Sequence, residues 1–188
     1  MMATALKGDD HPINQAGWSD AYPPAAHAEP FDVLEPATLA SWIQHQHQHQ
    51  QQSDDRQSSK VPGIDYLVVD VRRADCEYMI PGAINLPAHS FYHSLPSLYP
   101  LLSRVPILVF HCGNRNTRGT RCAHWLADAL AQHDGDKLIP AGQEPQEGKV
   151  KIYTLNGGYN GWEQTYGVLD IATRGKRSEQ GNLKAVPM

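Results

Sequence analysis

A parallel α/β sheet covered by helices on both faces is the architecture that this 188-residue chain predicts. Three observations carry the prediction. Tyr66-Leu67-Val68-Val69-Asp70-Val71 and Pro106-Ile107-Leu108-Val109-Phe110 are unbroken apolar runs of strand length, the pattern of strands buried on both faces. After the second run and a polar loop, Cys122, Trp125, Leu126 and Ala129 fall at i, i+3, i+4 and i+7, which marks an amphipathic helix. Val150-Lys151-Ile152-Tyr153-Thr154-Leu155 then repeats the strand signal before a glycine turn.

The elements follow in order. Residues 1–30 hold Pro, Ala, Asp and His without periodicity and read as a disordered or extended arm. A single domain is expected over 31–170. It opens with a short helix from Pro36 to Ile43, with Leu39, Trp42 and Ile43 on one face. Residues 44–60 form a low-complexity insertion of Gln, His, Ser and Asp. His45, His47 and His49 alternate within it but lack a second ligand group, so a solvated loop is expected and no metal site. Ile80 to Pro87 is a second short strand bounded by breakers. Residues 89–104 predict a helical connection interrupted by Pro96 and Pro100. The stretch 133–149 reads as an exposed insertion, and 171–188 as a loose tail.

Composition narrows the function. Net charge is −4, so no general affinity for nucleic acid is expected. No apolar run approaches the length of a membrane span. The start has no apolar core of a secretory signal. Cys76, Cys112 and Cys122 are odd in number and lack framework spacing, which points to a reducing compartment, cytoplasmic or nuclear.

The chemistry concentrates after the strand at 106–110. Cys112 ends the apolar run, Gly113-Asn114-Arg115-Asn116-Thr117 form a polar loop, and a helix begins with Arg118. That order gathers a thiol, loop N–H groups, a helix N-terminus and a guanidinium around one point, a setting for a tetrahedral oxyanion above a nucleophile. A cysteine at a helix N-terminus beside a cation has its pKa lowered to about 3.5–7.5. Arg118 can grip two oxygens through its planar fork, which a lysine cannot. Arg115 and Arg121 add positive charge, and His111 could orient the loop or stabilise the thiolate. Asp70, at the end of its strand, could brace the loop or an arginine. Glu144 and Glu147 are the candidate acids for a leaving group. Cys122, on the apolar helix face, is expected to be core.

Three stretches together resemble the rhodanese superfamily: Val69-Asp70-Val71-Arg72 with Ile80 to Pro87, His111-Cys112 with its loop, and Leu155-Asn156-Gly157-Gly158-Tyr159 with Trp162. The resemblance implies a five-stranded parallel sheet and a cysteine in a cradle loop. His111-Cys112, five residues, then Arg118-Gly119-Thr120-Arg121 looks like the pattern of the cell-division-cycle dual-specificity phosphatases and the eukaryotic arsenate reductases. Their loop is one residue longer than that of the thiosulfate sulfurtransferases, and a wider ring suits phosphate or arsenate. The resemblance thus implies phosphate monoester hydrolysis, with a phosphoprotein as a candidate substrate, or arsenate reduction with a thiol reductant such as glutathione or glutaredoxin. No bound cofactor, nucleic-acid partner or membrane partner is implied. The chain departs from the phosphatase pattern at Val71, where they carry a cysteine, at Cys76, at Tyr78-Met79 and at Thr117. Two rival readings stand beside this one: a thiosulfate sulfurtransferase with a longer loop, and a non-catalytic rhodanese-like binding module.

Overall fold

The computed structural model describes residues 22–49, 60–73, 75–114 and 117–167. In chain order the elements are β1 (Asp32–Leu34), α1 (Pro36–His49), β2 (Tyr66–Asp70), β3 (Ala83–Asn85), α2 (Ala88–Leu102), β4 (Ile107–His111), α3 (Arg118–His133), β5 (Leu138–Ile139), β6 (Val150–Leu155) and α4 (Gly158–Tyr166). The strands pair in the order β1-β6-β4-β2-β3, with β5 also on β6, and every pairing is parallel.

The unbroken apolar runs are explained by two cores. Val69, Leu108, Phe110 and Ile152 pack with Phe91 of α2 and Trp125, Leu126 and Leu130 of α3. Val68, Ile107, Val109 and Leu155 pack on the other face with Leu39 and Ile43 of α1 and Tyr159 and Trp162 of α4. Successive strand residues therefore enter opposite cores, which is why no polar alternation appears. The pleat continues past β4: Cys112 shares the core of Phe110.

Several elements differ from expectation. The helix at 36–43 continues to His49, so the low-complexity segment begins on α1. Gln sustains a helix and no breaker intervenes. The side chains of His45, His47 and His49 lie outside the described residues, as does the rest of the insertion from 50 to 59. α2 is continuous through Pro96 and Pro100. A proline inside a helix costs about 3 kcal/mol. Burial of Ala88, Phe91, Leu95 and Leu102 along one face supplies the opposing gain. The stretch 133–149 contributes β5, a sixth strand beyond the five implied, with Ile139 buried. Two residues are too few for a periodic signal. The end of the arm docks instead of floating. The Trp125 Nε1–H donates to the Pro23 carbonyl at 3.0 Å, and the Asp128 carboxylate accepts the N–H groups of Ala26 and His27 at 2.8 and 2.6 Å. Residues 1–21 and the tail from 168 lie outside the described residues.

Candidate active site

Parallel register sets the base of the site. Asp70 lies opposite Asn85 on one side and His111 on the other, so three polar residues end adjacent strands at one level. The crevice beyond such carboxyl ends is where parallel α/β sheets bind ligands. Cys112 leaves the sheet there and is buried.

The loop is held from α4. The Cys112 carbonyl accepts the Tyr159 N–H at 2.8 Å, and the Gly113 carbonyl accepts the Asn160 N–H at 3.0 Å. These are first-turn N–H groups of α4, which have no partner within their own helix. Because a trans peptide points its C=O and N–H in opposite directions, the Gly113 and Asn114 N–H groups are turned away from α4. Asn160 Nδ2 also donates to Asn114 Oδ1 at 2.6 Å. Gly157, in the left-handed region at φ 66°, makes the tight entry to α4, where a Cβ would stand 2.9 Å from Gly161 Cα.

The other wall is the start of α3. A Cβ on Gly119 would lie 3.1 Å from the His111 carbonyl carbon and 3.3 Å from the Cys112 nitrogen. The glycine lets the helix N-terminus close against the cysteine. Thr117, the N-cap residue, is exposed and makes no side-chain cap. The first-turn N–H groups thus find no acceptor in its side chain, a condition under which an anion is favoured at the helix end.

Arg118 is buried and its fork is occupied. Nη1 donates to Asp75 Oδ1 at 2.9 Å and Nη2 to Asp75 Oδ2 at 2.6 Å. Burial works against the guanidinium charge, yet Asp75 and the neighbouring Cys112 hold its pKa above the ordinary value. Burial likewise pushes the Asp75 carboxyl up, and Arg118 holds it below the usual carboxylate range. Asp75 sits on the turn after β2, a position that sequence reasoning missed. The signal was present, because an acidic residue past a strand end faces the same crevice that singled out Asp70.

Asp70 braces an arginine, but one of its own loop. Its carboxylate accepts Arg72 Nε at 3.0 Å, Arg72 Nη2 at 2.7 Å and the Arg72 backbone N–H at 2.9 Å. The Arg72 guanidinium lies 3.8 Å from the Tyr159 ring centre, tying β2 to α4. Burial opposes the Asp70 charge, and His111 and Arg72 hold its pKa below the usual range. His111 is wholly buried, its Nδ1 4.0 Å from Asp70 and 3.2 Å from the Cys112 carbonyl oxygen. Burial drives its pKa down against the opposing pull of the Asp70 carboxylate, and the ring packs under the loop.

Two expected contributors lie elsewhere. Arg121 is expected to add positive charge from the first helical turn. Its Nη2 instead donates to the Pro23 carbonyl at 3.4 Å, with the guanidinium 5.3 Å from the Trp125 ring. The segment of Glu144 and Glu147 is anchored at the opposite end of the sheet. There the Gly142 N–H donates to Asp32, the first residue of β1, and Lys151 Nζ donates to the Pro140 carbonyl. Neither glutamate is positioned as an acid for Cys112. Arg115 and Asn116 lie outside the described residues.

The other thiols are unlike a nucleophile. Burial and Asp70 push Cys76 up to about 11. Cys122 is fully buried and burial raises it well above the ordinary value, in keeping with a core residue. All three cysteines are free.

Comparison with known proteins places this geometry. Dual specificity phosphatase ibp1 of Schizosaccharomyces pombe is 29% identical over 105 residues, covering 53% of this chain and 76% of that protein. Arsenate reductase 2.1 of Oryza sativa subsp. japonica is 30% identical over 98 residues, covering 51% of this chain and 55% of that protein. Among solved structures, Ygr203w of Saccharomyces cerevisiae, a homolog of single-domain rhodanese and the Cdc25 phosphatase catalytic domain, superposes with a TM-score of 0.53 at 19% identity. It covers 79% of this chain and 95% of that one, and shows the shared fold. The rhodanese-like domain matches residues 48–165. With that match over more than half its length, and with the cysteine loop at the carboxyl end of a parallel sheet, the chain belongs to the rhodanese-like domain family.

Proposed function

We propose that this protein is a cysteine-thiolate phosphatase that hydrolyses phosphate monoesters, with Cys112 as nucleophile and Arg118 as the oxyanion clamp. One observation carries the reading. The Arg118 fork already holds a planar two-oxygen anion, the Asp75 carboxylate, at 2.6 and 2.9 Å beside the cysteine loop. Two equatorial oxygens of a phosphate present the same acceptor pair. The N–H groups of Gly113 and Asn114, and those of the first α3 turn, supply further donors. Such preorganised donors stabilise the charge that builds on the phosphoryl oxygens as Cys112 attacks. Arg115, Asn116 and Thr117 complete the loop in this reading, and His111 supports it from beneath.

Arsenate reduction is the second reading, supported by the similarity to the rice arsenate reductase. Arsenate would occupy the same cradle, with a thiol such as glutathione or glutaredoxin supplying the electrons. One preparation should be assayed with an aryl phosphate, with arsenate plus a thiol reductant, and with thiosulfate plus cyanide. Hydrolysis of the aryl phosphate, abolished in Cys112→Ser, is the expected result. Turnover of thiosulfate alone would replace the proposal with a sulfurtransferase.

A further inference from the structure

We propose that Asp75 is the positioning residue of the oxyanion site: it grips the end of the Arg118 guanidinium, stays there, and so aims the Nε–Nη2 edge at the phosphate. The inference rests on the oxyanion reading of the Cys112 loop.

A guanidinium is planar and donates from Nε and from both Nη atoms. Asp75 takes one N–H from each Nη, at 2.9 and 2.6 Å. That end-on grip leaves the Nε–H and the outer N–H of Nη2 side by side, a second two-donor edge. Among the described residues, no acceptor other than Asp75 bonds the Arg118 side chain. The remaining edge belongs to the side that meets the loop. Nη2 stands 3.8 Å from where a Cβ on Gly113 would lie, and Asp75 Oδ2 4.0 Å, whereas Nη1 is farther from that point. The guanidinium is thus turned with Nη2 toward the residue that follows Cys112. Two oxygens of a phosphate on Cys112 match this edge as the Asp75 carboxylate matches the end.

Arginine has much rotamer freedom to lose, and Asp75 removes it because Asp75 is itself fixed. Its Oδ1 accepts the Arg73 N–H at 2.9 Å. Its backbone carbonyl accepts Arg72 Nη1 at 3.2 Å, and the Tyr78 carbonyl accepts Arg72 Nη2. One guanidinium therefore pins the whole turn after β2. Arg72 is held in its place by the Asp70 carboxylate and by the Tyr159 ring of α4. Asp70 lies opposite His111, the residue before Cys112, in the register of β2 on β4. The clamp and the nucleophile are thus referred to one strand end, the clamp through Asp75.

The chemistry gives this arrangement a distinct signature. Negative charge spreads over the equatorial oxygens as the phosphoryl group is transferred. A donor edge held at the angle of those oxygens gains most in the transition state. The Asp75 charge itself repels a bound phosphate. Removing it therefore weakens the transition state while relieving repulsion in the ground state, and kcat and KM separate. Asp75 moves no proton in this role, so it does not distinguish leaving groups.

Full-length Asp75→Asn, Asp75→Glu, Arg118→Lys and the Asp75→Asn, Arg118→Lys double variant are assayed on 4-nitrophenyl phosphate and phenyl phosphate. Asp75→Asn should lose about 10²-fold in kcat, the scale of a misplaced reacting group. The loss should be equal on both substrates, with KM unchanged or lower. Asp75→Glu keeps a two-oxygen grip and should recover much of kcat. In the Arg118→Lys background Asp75→Asn should cost little more, since Asp75 acts through the guanidinium. Unchanged kcat in Asp75→Asn, a loss confined to phenyl phosphate, or an undiminished loss in the Arg118→Lys background would overturn the proposal. A second measurement uses the unaltered protein carrying isotope-labelled arginine. Phosphate should shift the nuclear magnetic resonance signal of the Arg118 Nε–H, assigned by its absence from Arg118→Lys. Phosphate that protects Cys112 from alkylation and leaves this signal unmoved would equally overturn the proposal. Phosphate that does not protect Cys112 at all would instead refute the oxyanion site, and the role of Asp75 with it.

Discussion

Arg118 and Arg121 are one helical turn apart, yet their surroundings give them different work. Arg118 is buried beside Cys112 with its fork on an anion, and Arg121 is turned to the arm. Arg118→Lys should therefore reduce kcat/KM by about 10²-fold or more, the scale of losing an oxyanion donor, whereas Arg121→Lys should change it little. Steady-state kinetics on an aryl phosphate measure both. The buried polar layer below them makes a second prediction. Burial holds the folded pKa of His111 below its ordinary value, so the unfolded chain binds more protons as pH falls below about 6.5, and stability must drop there. His124 contributes in the same direction. Asp70, lowered through His111 and Arg72 against its own burial, contributes stability present above the unfolded carboxylate value of about 3.9 and lost as pH falls through the lower folded value. Urea unfolding from pH 8 to pH 4 should show the decline, and His111→Gln should flatten it between pH 6.5 and 5.

At the scale of elements, the helices differ in what holds them. α3 reads plainly from its apolar spacing because Cys122, Trp125, Leu126 and Ala129 are all buried. α2 was obscured by Pro96 and Pro100, since tertiary burial of Phe91, Leu95 and Leu102 outweighs a local rule about proline. β5 was invisible because a two-residue strand has no period and depends on β6 for its existence. The low-complexity segment makes no comparable demand. Among the described side chains of α1, Ile43 is the last buried one, and residues 50–58 contain no apolar side chain. Deleting 50–58 should lower the melting temperature by no more than a few degrees and leave turnover intact, because loop-closure cost changes by only about 0.6 kcal/mol per doubling of length. Thermal denaturation and one kinetic assay decide it.

Over the whole molecule, one parallel sheet aligns the carboxyl ends of β2, β4 and β6, and the site is assembled where α3 and α4 begin. The order of strand, cysteine, loop and arginine was legible because it is local: Cys112 and Arg118 are brought together by a few consecutive residues. The partners of that arginine were not legible for the opposite reason. Asp75 is 43 residues from Arg118 in sequence, and Pro23 is 98 residues from Arg121. Such pairings follow from strand order and from where the arm docks, and no motif spacing encodes them. Gly119 lies between the two cases. Its place in the sequence was evident, but its necessity appears only when α3 is seen packed on His111 and Cys112. The central claim is that this assembly binds a tetrahedral oxyanion over a reactive Cys112. Its most direct test is the rate of Cys112 alkylation near pH 7, read by mass spectrometry of the peptide, with phosphate, arsenate or thiosulfate present. Cys112 should react well ahead of Cys76 and Cys122, and phosphate and arsenate should slow it where thiosulfate does not. Alkylation of Cys112 no faster than that of Cys76, or sulfur transfer from thiosulfate with no protection by phosphate or arsenate, would contradict the account.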